Sequence, residues 1–387
     1  MDEHRDRWWA SPAAERGHVL RIPLEAPFRC QYGGTLADVQ VCWEEWGRRN
    51  AAGDNTVLVV HPMTADPHLT GCDGGGPGWW EDLVGPGRAI DTDRWHVVCP
   101  NLPGGCYGST GPRFPAPDGA PYLERFPLLT PRDLARLLRR FLDAIDVDVP
   151  ALVVGPSMGG MIGWEWAIEH GDRVGGVVVV AAPLLTSPLQ IGWNRLQVAG
   201  IVADTDDTGE VPRKDGQRVA RGVGMLSYRS PAGLEEKFGR TWFQPPGATL
   251  AEPGLFNVES WLRQHGRRIT KKYDPWTWRV FARTMDLHDV ADGRDGLDAA
   301  LDRVSCPVLV FGIRSDCLYP AADVRAGAER LAARGGNVRY VEIDSDHGHD
   351  AFLIDVDAIA GGLSGWWEAT SPLPPPADGG GSTPRSR

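Results

Sequence analysis

Residues 151–162, ALVVGPSMGGMI, decide the fold. An apolar run, Ala151 to Val154, enters the pentapeptide Gly155-Pro156-Ser157-Met158-Gly159, and helix-forming sequence follows: a strand, a sharp turn and a helix in succession. In that context a G-x-S-x-G reads as a nucleophile elbow. Its glycines let the backbone turn sharply enough to lift the Ser157 hydroxyl clear of a sheet, and the helix behind offers free N–H groups and its positive dipole end to a developing oxyanion. The bland alternative is a tight strand-to-helix turn with an incidental serine. The run VVVVAA at 177–182, a further buried strand, favours the elbow.

Outward from this point, TVLVV (56–60), HVV (96–98), VVVV (177–180) and VLVF (308–311) are short apolar runs of the kind buried on both faces of a parallel sheet. LADVQVCWEEW (36–46) alternates apolar and polar residues and predicts a half-exposed antiparallel strand. Thr130-Pro131-Arg132-Asp133 supplies an N-cap, a first-turn proline and an acidic first turn, and Leu134, Leu137, Leu138, Phe141, Leu142 and Ile145 share one face of the helix that follows. Strands alternating with such helices imply a doubly wound, mostly parallel α/β sheet with ligands at the carboxyl ends of its strands. Between about 186 and 290 the strand pattern stops and the chain turns helical and rich in Trp and Arg. That stretch reads as an inserted cap, leaving residues 1–185 and 291–370 as the core. Residues 371–387, SPLPPPADGGGSTPRSR, have no apolar surface to bury and are expected to be disordered.

Composition excludes several classes. Of 387 residues, 42% are hydrophobic and 24% charged, an ordinary balance for a globular protein with a large core. No stretch approaches the ~20 apolar residues of a membrane span. The amino-terminal MDEHRDRWW is charged and lacks the apolar segment of a secretory signal, so a cytoplasmic protein is expected. The seven cysteines are scattered without a C-x-x-C pair, which suits reduced thiols. A net charge of −11 argues against binding to nucleic acid or to anionic membranes. Most of the 16 tryptophans are expected to be packing residues.

A serine hydroxyl needs a base oriented by a carboxylate, and the order after an elbow is Ser, then acid, then His. Asp316 lies just past the strand PVLVFG (307–312), at a strand's carboxyl end. Past the strand VRYVEI (338–343), the loop DSDHGHDAF offers two bases, His347 and His349. Asp344 and Asp346 rival Asp316 but sit in the histidines' own loop, too local to orient one from a neighbouring strand. The H-x-H pair could bind metal, yet no further His/Cys/Asp cluster has ligand spacing, so no metal is expected. Two backbone donors must also meet the tetrahedral oxygen. Met158, after the nucleophile, supplies one; the other is expected from His61-Pro62-Met63-Thr64, at the Met63 N–H.

Taken together, HPMTADPHLTG (61–71), GWWEDLVGPGRAIDTDRWHVVCPNLPGGCYGSTGP (78–112), GPSMGGMIGWEWA (155–167), SYRSPAGLEEKFGR (227–240), FNVESWLRQHG (256–266), RTMDLHDV (283–290), SDCLYP (315–320) and EIDSDHGHDAFL (342–353) closely resemble the homoserine O-acetyltransferase family. The resemblance spans most of residues 15–370 and implies an α/β-hydrolase fold with a helical cap. It implies ping-pong chemistry in which Ser157 accepts an acyl group from acyl-CoA, acetyl-CoA above all, as co-substrate rather than bound cofactor. It selects His349 as base, held by Asp316, and matches Arg221, Tyr228 and Asp350 to residues that grip the amino-acid acceptor. It also implies homodimers formed through the cap. This chain departs from the family at Pro156, at HPM in the oxyanion loop, at Cys317 and across 193–222, where the roof of the pocket is expected. The basic run Arg213, Lys214, Arg218 is a candidate for CoA phosphates, with a solvated helix face as the alternative. The same triad would be a serine esterase or thioesterase if water reached the acyl-enzyme first. A fold retained for binding alone is the third class.

Overall fold

The computed structural model describes residues 17–72, 76–206 and 214–370. Eight strands form the central sheet: β1 (His18–Arg21), β2 (Gln40–Trp46), β3 (Thr56–Val59), β4 (His96–Pro100), β5 (Leu152–Pro156), β6 (Val177–Val180), β7 (Val308–Ile313) and β8 (Val338–Ile343). Their spatial order is β1-β2-β4-β3-β5-β6-β7-β8. β2 runs antiparallel to both its neighbours and every other pairing is parallel. The short apolar runs therefore occupy the interior of a doubly wound sheet, as their lack of alternation requires.

Alternate side chains divide the core into two layers. Val177, Val179, Val308 and Val310 face α1 (Pro131–Ala144) and α2 (Met158–His170), while Val178, Val180, Leu309 and Phe311 face α11 (Val356–Thr370). α1 begins as its sequence dictates, with Thr130 and Asp133 in a reciprocal capping box and Pro131 in the first turn. One expectation fails. β2 is antiparallel but not half-exposed: only Glu45 is exposed, and Glu44 is buried with its carboxylate 2.6 Å from His68 Nδ1. The alternation in the sequence was real, but an ion pair lets its polar side be covered.

Between Leu185 and Asp289 the described residues form five helices: α3 (Pro188–Ala203), α4 (Asp215–Ser227), α5 (Pro231–Phe238), α6 (Asn257–Lys272) and α7 (Pro275–Asp286). A small antiparallel ribbon, Trp242–Gln244 with Leu255–Phe256, lies among them, where no strand was expected. Ser187, Ser230 and Asp274 cap α3, α5 and α7, each ahead of a first-turn proline. A bridge between Leu185 and Asp289 closes the base of the insertion. α3 and α4 cross closely, for a Cβ on Gly216 would lie 1.9 Å from the Gly200 carbonyl oxygen. Remaining helices are α8 (Leu297–Leu301), α9 (Ala321–Ala333) and the single turn α10 (Ala351–Ile354). The division into core and cap at 185/186 and 290/291 remains our proposal. The expected disordered tail, 371–387, lies outside the described residues.

A buried ionic cluster anchors α2, the helix behind the elbow. Glu165 accepts from Arg132 at 3.2 Å and from Arg294 at 2.5 Å, and Arg294 also reaches Glu169 at 2.7 Å. Burial alone would raise the Glu169 carboxyl, but hydrogen bonds from Arg294 and Arg136 hold it at about 2. Removing one member of such a cluster leaves a buried charge without its partner. Glu165→Ala is therefore expected to destabilise the protein by about 3–5 kcal/mol in urea unfolding; a loss below ~1 kcal/mol would show that the cluster does not anchor the helix.

Candidate active site

Ser157 sits between β5 and α2 at φ 57° and ψ −122°. Left-handed backbone at a residue with a side chain costs about 1–3 kcal/mol, so the surroundings must hold it there. They do so partly by a hydrogen bond from the Ser157 N–H to the Val180 carbonyl, 2.9 Å. The glycines act otherwise than expected, since the positive φ belongs to the serine itself. A Cβ at Gly155 would lie 2.4 Å from the Gly159 carbonyl, and one at Gly159 would lie 2.0 Å from the Val60 carbonyl oxygen. Close backbone approach, not left-handed conformation, demands glycine at these two positions.

The side chains chosen from sequence converge here. His349 Nε2 is 2.8 Å from Ser157 Oγ, and His349 Nδ1 is 2.7 Å from Asp316 Oδ2. All three residues are buried. Asp316 Oδ1 accepts the Leu318 and Tyr319 N–H groups at 2.8 and 2.9 Å, so neither oxygen is free to rotate away. Tyr319, Phe352 and Tyr228 pack their rings 4.9, 5.2 and 6.0 Å from the imidazole. The rivals are engaged elsewhere: Asp344 and Asp346 pair with Arg314 at the surface. His347 is not among the residues lining the cavity above Ser157. Among the described residues no cluster could hold a metal ion.

Met158 opens α2, where an N–H has no acceptor within its own helix. The Met63 amide lies in a loop fastened on both sides. His61 is fully buried and accepts the Leu102 N–H at Nε2, 3.0 Å, which leaves Nδ1 to carry the proton it donates to the Pro62 carbonyl at 2.9 Å. Burial lowers the His61 pKa and keeps the ring neutral, as this bonding needs. The Pro62 carbonyl and the Met63 N–H belong to one peptide unit, so the imidazole orients and polarises that donor. On the other side the Tyr273 hydroxyl, from the turn between α6 and α7, donates to the Met63 carbonyl. Gln217 in turn holds the Tyr273 carbonyl at 2.7 Å. Neither His61 nor Tyr273 was given a role from sequence, because their partners are backbone groups that carry no residue-type signal.

A cavity of about 450 Å³ stands over Ser157 and His349. Arg221, Tyr228 and Asp350 all line it, as their matched positions implied. Arg221 donates to Thr64 Oγ1 at 3.4 Å and, among the described residues, has no carboxylate partner. Asp350 is different, for Arg229, a residue the sequence reading missed, pairs with it at 3.0 Å. Burial pushes the Asp350 carboxyl up, and Arg229 opposes the shift. The basic run expected to meet phosphates does not gather. Lys214 Nζ donates to the Thr270 carbonyl at 2.8 Å, Arg218 pairs with Asp215 at 2.6 Å, and Arg213 lies outside the described residues.

A strained serine at a strand-to-helix turn, a buried histidine and aspartate from later strands, and the sheet order together define an α/β-hydrolase-fold enzyme of the serine-nucleophile class. The α/β hydrolase fold family model matches residues 55–356. Over 367 residues the chain is 40% identical to a homoserine O-acetyltransferase of Clavibacter michiganensis, covering 91% of this chain and 92% of that one. It is 39% identical to one from Thermus thermophilus, covering 90% of each. The chain belongs to the homoserine O-acetyltransferase family. Among solved structures, homoserine O-acetyltransferase from Bacillus anthracis superposes with a TM-score of 0.82 at 24% identity, covering 90% of this chain and 97% of that one. Esterase E22 superposes with 0.80 at 23% identity, covering 90% and 99%. These two likenesses establish the fold alone.

Tyr273→Phe removes the hydroxyl that fastens the Met63 carbonyl while keeping the buried ring. Losing one hydrogen bond of ~1.4 kcal/mol from the oxyanion loop corresponds to about a tenfold fall in kcat with KM nearly unchanged. Steady-state kinetics checks this, and an unchanged kcat would remove Tyr273 from the site's support.

Proposed function

We propose that the protein transfers an acyl group, acetyl above all, from acyl-CoA to the side-chain hydroxyl of L-homoserine or a close hydroxy amino acid. In the first half-reaction Ser157 Oγ attacks the thioester carbonyl as His349 Nε2 takes its proton. The tetrahedral oxyanion is met by the Met63 and Met158 N–H groups, and collapse expels the CoA thiolate, which leaves with the proton from His349. In the second half-reaction the acceptor hydroxyl gives its proton to His349 and attacks the acyl-serine. Collapse releases the O-acyl amino acid, and Ser157 recovers its proton. Asp316 holds the imidazole in the tautomer that both halves need and stabilises the imidazolium.

Arg221 is the cation for the acceptor's carboxylate, since its planar fork reaches into the cavity without a carboxylate of the protein. Asp350 receives the acceptor's ammonium group, with Arg229 keeping the carboxylate ionised and in place. Tyr228 walls this end of the site. The observation that carries the reading is the relay Asp316–His349–Ser157 beneath Arg221, in a chain about two-fifths identical to homoserine O-acetyltransferases along nearly its whole length. A cytoplasmic homodimer supplying methionine biosynthesis is the setting this activity suggests.

The test is a matrix of acetyl-, propionyl- and succinyl-CoA against homoserine, serine and buffer, following free thiol, with intact-protein mass spectrometry. Thiol release that requires the hydroxy amino acid is expected, with an acyl adduct on the wild type that Ser157→Ala lacks; equal release in buffer would make the protein a thioesterase. Arg221→Ala is expected to raise the KM for homoserine about 30-fold, the ~2 kcal/mol of a charge-assisted hydrogen-bonded pair. An unchanged KM would place the carboxylate elsewhere.

A further inference from the structure

One face of α6 carries Trp261, His265, Arg268 and Lys272 at spacings of four, three and four residues, so these side chains form a single stripe. His265 and Lys272 line the cavity from the cap side, beside Arg221 and Arg229. Lys237 on α5 extends the cationic surface, its ammonium 5.4 Å above the Trp261 ring, which also packs against the Phe238 ring at 5.2 Å and the His265 imidazole at 4.9 Å. Among the described residues, no carboxylate lies within ion-pairing distance of Lys237, Arg268 or Lys272. Burial first, and then the neighbouring cations Arg221, Arg268, Lys237 and Arg229, lower the His265 pKa to about 4. This concentration of unbalanced positive charge stands on a chain whose net charge is −11.

Two of the neighbouring cations have work in the acceptor site: Arg229 holds Asp350, and Arg221 is assigned to the acceptor's carboxylate. The stripe has none there. A small amino acid has one carboxylate, whereas an acyl-CoA donor brings a diphosphate and a 3′-phosphate at the far end of a long neutral arm from its thioester. Such a donor needs the pattern found here, a nucleophile at the floor of a cavity and separate cations at its rim.

Resting on the acyl-transfer reading, we propose that His265, Arg268 and Lys272 of α6, with Lys237 of α5, form the anion subsite for the phosphates of the acyl-CoA donor. The subsite takes the place of the run Arg213, Lys214, Arg218, of which Lys214 and Arg218 are engaged locally. Lys237 and the α6 residues hold the phosphates as exposed point charges, and His265 donates a ring N–H from a more sheltered position.

The test compares two donors with the same thioester, acetyl-CoA and S-acetylpantetheine, which lacks all the phosphates, each with homoserine as acceptor. In the wild type, raising ionic strength is expected to increase the KM for acetyl-CoA and leave that for S-acetylpantetheine unchanged, because salt screens exposed charges. Arg268→Gln and Lys272→Gln, both exposed changes outside the catalytic groups, are expected to raise the acetyl-CoA KM about threefold each and about tenfold together. Their kcat, their homoserine KM and their S-acetylpantetheine KM stay at wild-type values. Equal effects on both donors, or none on either, would overturn the subsite while leaving acyl transfer intact. A wild type that transfers from neither donor would instead remove the acyl-transfer reading on which the subsite rests.

Discussion

The backbone of Ser157 is the constraint from which the rest of the structure follows. A residue with a side chain is held at φ 57° because β5 must end, and α2 begin, within a single residue, with the Gly159 backbone pressed against the carbonyl of Val60. That contact sets the distance between the elbow and the end of β3, and so the distance between the Met158 and Met63 amides. It also aims the hydroxyl upward, to where loops after β7 and β8 can bring Asp316 and His349. The strain of about 1–3 kcal/mol is small beside the burial of the sheet on either side, which explains how the fold tolerates it.

The fold is shared with an esterase at nearly equal structural similarity, so the fold by itself does not choose between water and an amino-acid hydroxyl. On the reading proposed above, that choice belongs to the cap. A bound alcohol competes with water through its effective molarity, on the order of 10⁵ M or more for a well-aligned group, and alignment needs charges fixed relative to Ser157. In the proposed function, Arg221 on α4 and the Arg229–Asp350 pair beside it supply such charges. Through Tyr273 the cap also touches the chemistry directly, because the turn between α6 and α7 fastens the loop that presents the Met63 amide. In that proposal, a cap tied to the loop of Met63 links acceptor binding and catalysis mechanically.

Much of this was legible in the chain. The buried strands announced themselves as unbroken apolar runs, α1 by its capping box and apolar face, and Ser157, Asp316 and the pair His347 and His349 by lying just past strands that had to share one edge, the family resemblance choosing His349 from that pair. Where the reading failed, the cause was a partner or a run too short for the sequence pattern to show. β2 was expected to be half-exposed because Glu44 looked like a solvent residue, and it is buried because His68 faces it. The ribbon at Trp242–Gln244 and Leu255–Phe256 was missed because runs of two or three residues show no period. Lys214 and Arg218 looked available for a ligand until Thr270 and Asp215 proved to be their partners.

Local order in this protein was thus decided by the sequence itself: where strands and helices begin, which residue could be a nucleophile, and in what order acid and base follow it. These properties depend on neighbours within a few positions, through hydrogen-bonded turns, caps and hydrophobic periodicity. Only the tertiary structure brought the histidine that the family resemblance selects to the serine, and it alone decided which carboxylates are engaged elsewhere and which cations, among the described residues, have no carboxylate partner at the cavity rim. Those outcomes depend on groups brought together from segments 30 residues apart, as for Arg314 and Asp344, to 192 residues apart, as for Ser157 and His349, and proximity of that kind leaves no mark in a single chain's residue order.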